Sequence, residues 1–424
     1  MSSRFARWWC AAACVLVFPA ADATGAPAKE LPYELRYDLT FRPADDRADI
    51  VITLGKGAQH VHWMRFSIKP DRLTDFEADG KLERDGRYLT WTPPDKGGQL
   101  RYTAVVSHLR GDRFDARMTE DWALFRGDDL FPAARLRQSK GAEADATLHV
   151  HLPKGWSIAT PYEPLGGNAY RIENPELSFD RPTGWMTAGR IGSRRDEVAG
   201  VLVGVAGPLN QGVRRMDMVA FLNWNLGELR AVVDRLPERL LVVSARDKMW
   251  RGGLSGPGSL YIHADRPLLS ENGTSTLLHE LFHVVTRLSG RDGGDWIVEG
   301  LAEYYSLKLM WRSGTLSQRR YEAAFEQLAS WGGDLDLDEL ATDRARGRVT
   351  ARAVLLMREL DREIHRRTGR DKSLDDAVRY LVEAREPVDL ERFRAAVEQV
   401  MGARSEILTT GTRFTPIGSM SGVH

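Results

Sequence analysis

The chain has 424 residues, with 59 Lys and Arg set against 59 Asp and Glu, so its formal net charge is zero. That length suffices for two or three domains with real cores. The charge balance removes any electrostatic case for nucleic acid or an anionic membrane surface, and the excess of arginine over lysine reads as compositional bias rather than a site.

Residues 1–23 read as a secretory signal peptide. Arg4 and Arg7 form a charged start, Trp8 to Ala20 is apolar, and Ala21-Asp22-Ala23 is a small-x-small cleavage site. The apolar run is too short for a good membrane span. The mature chain is therefore expected to be exported, periplasmic or secreted, with no stable span; an uncleaved anchor is the alternative. Cys10 and Cys14 both fall inside this segment, which leaves the mature chain without disulfide or thiol chemistry.

Residues 24–205 read as an N-terminal β-sandwich-like domain. Tyr33 to Leu39 and Thr147 to Leu152 alternate with period two. Turn signals such as Arg84-Asp85-Gly86 and Lys96-Gly97-Gly98 recur between strands. Val198 to Gly204 reads as the last strand of this domain. His60 with His62, and His149 with His151, each put two imidazoles on one strand face; the choice lies between a metal pair and the polar face of a sheet.

Residues 206–315 carry the chemistry. Asp217 to Leu236 is a predicted helix ended by Pro237, and Leu240 to Ser244 a short buried strand. Gly252-Gly253-Leu254 opens a glycine-rich turn. It lacks the Lys-Ser/Thr of a phosphate loop and the Gly-x-Ser-x-Gly of a nucleophile elbow. It reads either as an edge strand that binds an extended peptide or as a plain hairpin. Thr274 to Ser289 is a predicted helix with Asn272 or Thr274 as N-cap, and it contains His279-Glu280-Leu281-Phe282-His283. Two histidines one helical turn apart share a face and can reach one metal ion, and Glu280 beside them can act as general base. After a turn at Ser289 to Asp295, a second helix from about Trp296 to Trp311 places Glu299 in its first turn. An antiparallel return brings that carboxylate to the two imidazoles. His279, His283 and Glu299 then form a three-ligand set for one Zn²⁺ ion, which leaves a position for water. Glu303, one turn on, is placed to accept the free ring N–H of a ligand histidine.

Residues 316–402 read as a helical region that completes the catalytic domain. Its predicted helices are Ser317–Trp331, Thr350–Thr368, Ser373–Glu383 and Leu390–Met401. Residues 403–424 are polar and read as a disordered tail.

The HExxH stretch with a following helix glutamate resembles the gluzincin zinc peptidases. Glu299-Gly300-Leu301-Ala302-Glu303-Tyr304-Tyr305 is similar to a segment of the alanyl-aminopeptidase family. The rest of the chain is more similar to the glycyl-aminopeptidase family (peptidase family sixty-one). That similarity rests on Gly252-Gly253-Leu254-Ser255, on Leu360 to Ile364 with Thr368-Gly369 and Ser373 to Asp376, and on Leu152 to Trp156 with Asn174 to Leu177. The resemblance implies a multidomain α+β fold with a thermolysin-like zinc catalytic domain and an aminopeptidase-like enzyme acting on a peptide or protein. Two departures stand out. Ser255 occupies the position of the family glutamate that binds a substrate's free amine, and Val349 to Ala353 lacks the tyrosine that stabilises the tetrahedral intermediate. Exopeptidase and endopeptidase activity therefore both stay open. Tyr304, Tyr305, Tyr321, His263 and Arg352 are the unranked candidates for the missing donor. The alternatives to a peptidase are a zinc-holding peptide binder and a zinc hydrolase of non-peptide substrates. Oligomeric state is not legible.

Overall fold

The computed structural model describes residues 31–175, 177–333, 335–342 and 345–409. Residues 1–30, which include the expected signal segment, and residues 410–424 lie outside these. Among the described residues no helix is long and apolar enough to cross a membrane.

The first half is built from strands whose alternation decides which face is buried. In Leu31–Arg42, Tyr33, Leu35, Tyr37, Leu39 and Phe41 all point into one core. This strand pairs in parallel with Ala142–His151 and antiparallel with Arg47–Leu54, at the centre of a seven-stranded sheet. That sheet shares its core with a four-stranded sheet, through Met64, Phe66 and Trp91, and with a five-stranded sheet, through Phe125 and Met186. The three sheets thus close around one shared apolar core. The histidine pairs are part of their surface. His151 Nε2 lies 2.9 Å from Asp38 Oδ1, and neither pair joins a three-residue ligand cluster among the described residues.

A second five-stranded sheet organises the rest. Its order is Ile191–Val198, Val201–Pro208, Arg239–Ala245, Ser259–His263, Gly253–Gly256. Here the structure departs from the sequence reading. Val201–Pro208 does not close the N-terminal sandwich but pairs in parallel with Arg239–Ala245. The helix Arg215–Val232 makes the crossover that a parallel pair requires. Periodicity shows that a strand exists; it carries no information about its partner. The two halves meet at an apolar cluster in which Trp122, Leu124 and Trp185 face Leu241, Val243 and Tyr261.

The helices stack on this sheet in one continuous core. Most match the sequence reading within two residues, including Gln318–Gly332, Arg348–Arg367, Leu374–Ala384 and Leu390–Met401. A short helix, Leu337–Thr342, was not legible. The start of the expected tail is also packed. Leu408 is fully buried, and the Ser405 hydroxyl and Glu406 N–H donate to Glu363 at 2.8 and 2.7 Å. Buried Leu408 and the Glu363 carboxylate help to hold this stretch against the core despite its polar composition.

Candidate metal centre

The motif helix runs Thr276–Thr286. It is shorter than its apolar stripe suggests, and its N-cap is Ser275, whose side chain accepts from the Leu278 N–H, rather than Asn272 or Thr274. Arg287 ends it in a left-handed conformation, with its N–H on the His283 carbonyl. Leu277, Leu278, Leu281 and Phe282 bury the inner face, which leaves His279 and His283 to share the outer one. The second helix, Asp295–Arg312, returns against it. Phe282 stacks on Tyr305 across the pair, with ring centroids 5.0 Å apart and planes 10° from parallel. Behind it, Gly300 lets the Arg348–Arg367 helix approach: a Cβ there would lie 2.7 Å from the Ala353 Cβ.

This hairpin of helices brings together the three residues singled out as ligands. His279 Nε2 lies 3.2 Å from His283 Nε2 and 3.2 Å from Glu299 Oε2, and His283 Nε2 lies 3.5 Å from Glu299 Oε1. Donors held about 2.0–2.1 Å from a tetrahedral zinc are roughly 3.3 Å from one another. The observed spacings, and the nitrogen, nitrogen, oxygen donor set, fit that ion. Among the described residues this is the one cluster of three potential ligands. His279 Nδ1 donates to Glu303 Oε2 at 2.9 Å, which sets the tautomer that leaves Nε2 free.

The electrostatics are those of a cation site. Burial by itself would lower the His279 imidazole, but the Glu299 and Glu303 carboxylates bonded to it raise it to about 10. Burial works in the opposite sense on Glu299, where the two imidazoles prevail and hold its carboxyl far below the ordinary range. A proton on the imidazole thus supplies the positive charge that the carboxylates demand, and a metal ion would displace it.

Glu280 is buried beneath the edge strand Gly253–Gly256. Burial raises its carboxyl above the ordinary value, against the lowering influence of the two imidazoles. Gly253 is required here by contact: a Cβ would sit 2.5 Å from Glu280 Cγ. The strand has the edge position expected for it, with Ser259–His263 as its neighbour in the sheet. Leu254 packs against the apolar cluster between the halves. Gly252 lies just before the strand, and its carbonyl accepts the His263 N–H at 3.1 Å.

The five candidates for an additional donor are placed elsewhere. The Tyr304 and Tyr305 hydroxyls donate to Asp361 and Asp375 at 2.7 and 2.9 Å, deep in the helical core. Tyr321 is buried against Trp311. His263 Nδ1 accepts the Asp265 N–H, and Arg352 donates to the Leu335 carbonyl. None of the five lines the cleft of about 600 Å³ that contains His279, Glu280, His283 and Glu299. Its lining instead includes donors that sequence reasoning missed: Arg110, Arg287 and Ser289. Arg110 comes from the first half of the chain, where its guanidinium stacks over Trp250, 4.8 Å from the ring centroid. No local signal marks it, because only the docking of the two halves brings it to the site.

No family model matches the sequence, and no curated protein is significantly similar to it. Solved structures are similar in fold. An aminopeptidase N family protein from Idiomarina loihiensis matches over 82% of this chain and 70% of its own, at 13% identity and a TM-score of 0.63. The M1 zinc metallopeptidase from Deinococcus radiodurans matches over 92% of this chain and 96% of its own, at 16% identity and a TM-score of 0.54. Legionella pneumophila aminopeptidase A, solved with aspartic acid, matches over 88% of this chain and 48% of its own, at 13% identity and a TM-score of 0.53. The chain thus has the mixed α+β fold of aminopeptidase N-like zinc metallopeptidases.

Proposed function

We propose that this protein is an exported zinc-dependent metallopeptidase of gluzincin type, akin to the glycyl-aminopeptidase family. The observation that carries the reading is the convergence of His279, His283 and Glu299 at tetrahedral spacing, with the Glu280 carboxyl beside them under an open strand edge. His279, His283 and Glu299 would hold one zinc ion, and Glu303 would orient His279. When bound, zinc supplies Lewis acidity that acidifies an attacking water and polarises the scissile carbonyl. Glu280 takes the proton of that water and passes it to the departing amine nitrogen. A base that is too weak cannot accept the proton, and one that is too strong does not return it. The main chain of Gly253 to Ser255 holds the substrate as an added strand.

Zinc removal tests this reading. Purified protein is expected to contain one zinc per chain, to lose peptide cleavage on treatment with a chelator, and to regain it with added zinc. A fully zinc-loaded protein that cleaves no peptide would instead be the peptide-binding reading, which draws its support from the absence of all five donor candidates from the cleft lining. Export belongs to the same proposal and rests on the Arg4 to Ala23 pattern. Terminal sequencing of the exported chain is expected to begin at Thr24; a retained Met1 would refute cleavage.

A further inference from the structure

We infer that the cleft takes an internal stretch of a peptide, continuing on both sides of the cleaved bond, rather than a free amino terminus, and that an apolar side chain of that stretch sits between Leu177, Pro257 and Val284. This rests on the metallopeptidase reading and goes beyond it in naming the substrate class.

The first argument is the strand edge. The Gly252 carbonyl accepts from His263 N–H, so alternation along the antiparallel ladder turns the N–H and C=O of Gly253 and Ser255 toward the open side. A peptide running antiparallel to this strand exchanges both bonds with each of these residues. Its amino-terminal part then lies toward Gly256 and Pro257, and its carboxyl-terminal part toward Gly252.

The second argument is the course of the cleft. The cavity holding the metal-ligand cluster is lined along Gly253 to Ser255. A second cavity, of about 240 Å³, is lined by Gly256, Pro257, Val284, Asn174 and Leu177, and it shares Ser255, His283 and Arg287 with the first. The groove therefore follows the whole edge strand and passes His283 instead of ending there. Its continuation lies on the side where the amino-terminal part of the peptide belongs.

The third argument is the apolar lining of this second cavity. Leu177, Pro257 and Val284 make the continuation a place for an apolar side chain.

The test compares zinc-loaded protein on two substrate sets: octapeptides blocked at both ends with an apolar residue on the amino-terminal side of the cleaved bond, and single-residue amides with a free amine. Blocked octapeptides are expected to have kcat/KM at least roughly tenfold higher, and Leu177→Asp to raise their KM roughly tenfold while zinc content is kept. Equal or better cleavage of the free-amine amides overturns the inference, as does an unchanged KM in Leu177→Asp. If nothing is cleaved, the peptidase reading fails. Calorimetry of the blocked octapeptide on the zinc-loaded Glu280→Gln protein then decides the groove separately: binding sustains it, and no binding overturns it.

Discussion

Glu280→Gln is expected to keep one zinc per chain and to lower peptide turnover roughly 10²–10⁴-fold. The substitution preserves shape, so the amide still fits against Gly253, where space is tight enough to exclude a Cβ. What it removes is the ability to take up a proton and release it. His279, His283 and Glu299 are untouched, because Glu280 is not among the groups whose donor atoms converge. Metal analysis and a cleavage assay on the same preparation check both halves of the expectation. Turnover within a few fold of wild type would mean that the proton passes through another group, and the mechanism would have to be rebuilt around it.

Lys308→Met is expected to destabilise the fold by about 3–5 kcal/mol at neutral pH, because it leaves a buried charge uncompensated. Lys308 is 3% exposed. Its Nζ lies 2.9 Å from Asp361 Oδ2 and 3.0 Å from Asp375 Oδ1, while Arg312 reaches Asp375 Oδ2 at 2.7 Å. Tyr304, Tyr305 and the Leu374 N–H complete the shells of the two carboxylates. Two cations and two anions balance; without Lys308 the two carboxylates share one cation. The cluster also ties the helix that carries Glu299 and Glu303 to the two helices behind it, so loosening it should loosen the metal centre.

The same cluster sets an acid limit. Burial alone would raise Asp361 and Asp375, but Lys308, together with Arg312 at Asp375, holds both below the ordinary value of 3.8. A carboxyl whose folded pKa is depressed contributes stability that is whole above about pH 4 and is lost as pH falls through the folded value. Wild-type protein should therefore weaken steeply below that point. The gap between wild type and Lys308→Met should narrow there, because protonation removes the unpaired charge. Denaturation midpoints for both proteins between neutral and acid pH measure this. A variant as stable as wild type at neutral pH would show that the cluster contributes nothing.

The metal site was legible because its parts are local. His279 and His283 are four residues apart on one helix, and Glu299 begins the next helix after a glycine-rich turn, so helical periodicity and a short connection bring them together. Glu303 follows from the same spacing. The alternation of Tyr33 to Leu39 likewise foretold a buried strand face, because a period of two is written residue by residue.

What only the tertiary structure decided is what each face meets. Tyr304 and Tyr305 stand on the same helix as Glu299, yet their hydroxyls end on Asp361 and Asp375, far along the chain. Val201 to Pro208 read as a strand but found its partner through a crossover helix. Arg110 and Leu177 reached the cleft because two separately patterned halves docked through Trp122, Trp185 and Tyr261. A sequence records the period of its apolar residues, and thereby its helices, strands and any site held within one turn or hairpin. Contacts between distant segments depend on how whole surfaces fit, and no local pattern encodes that.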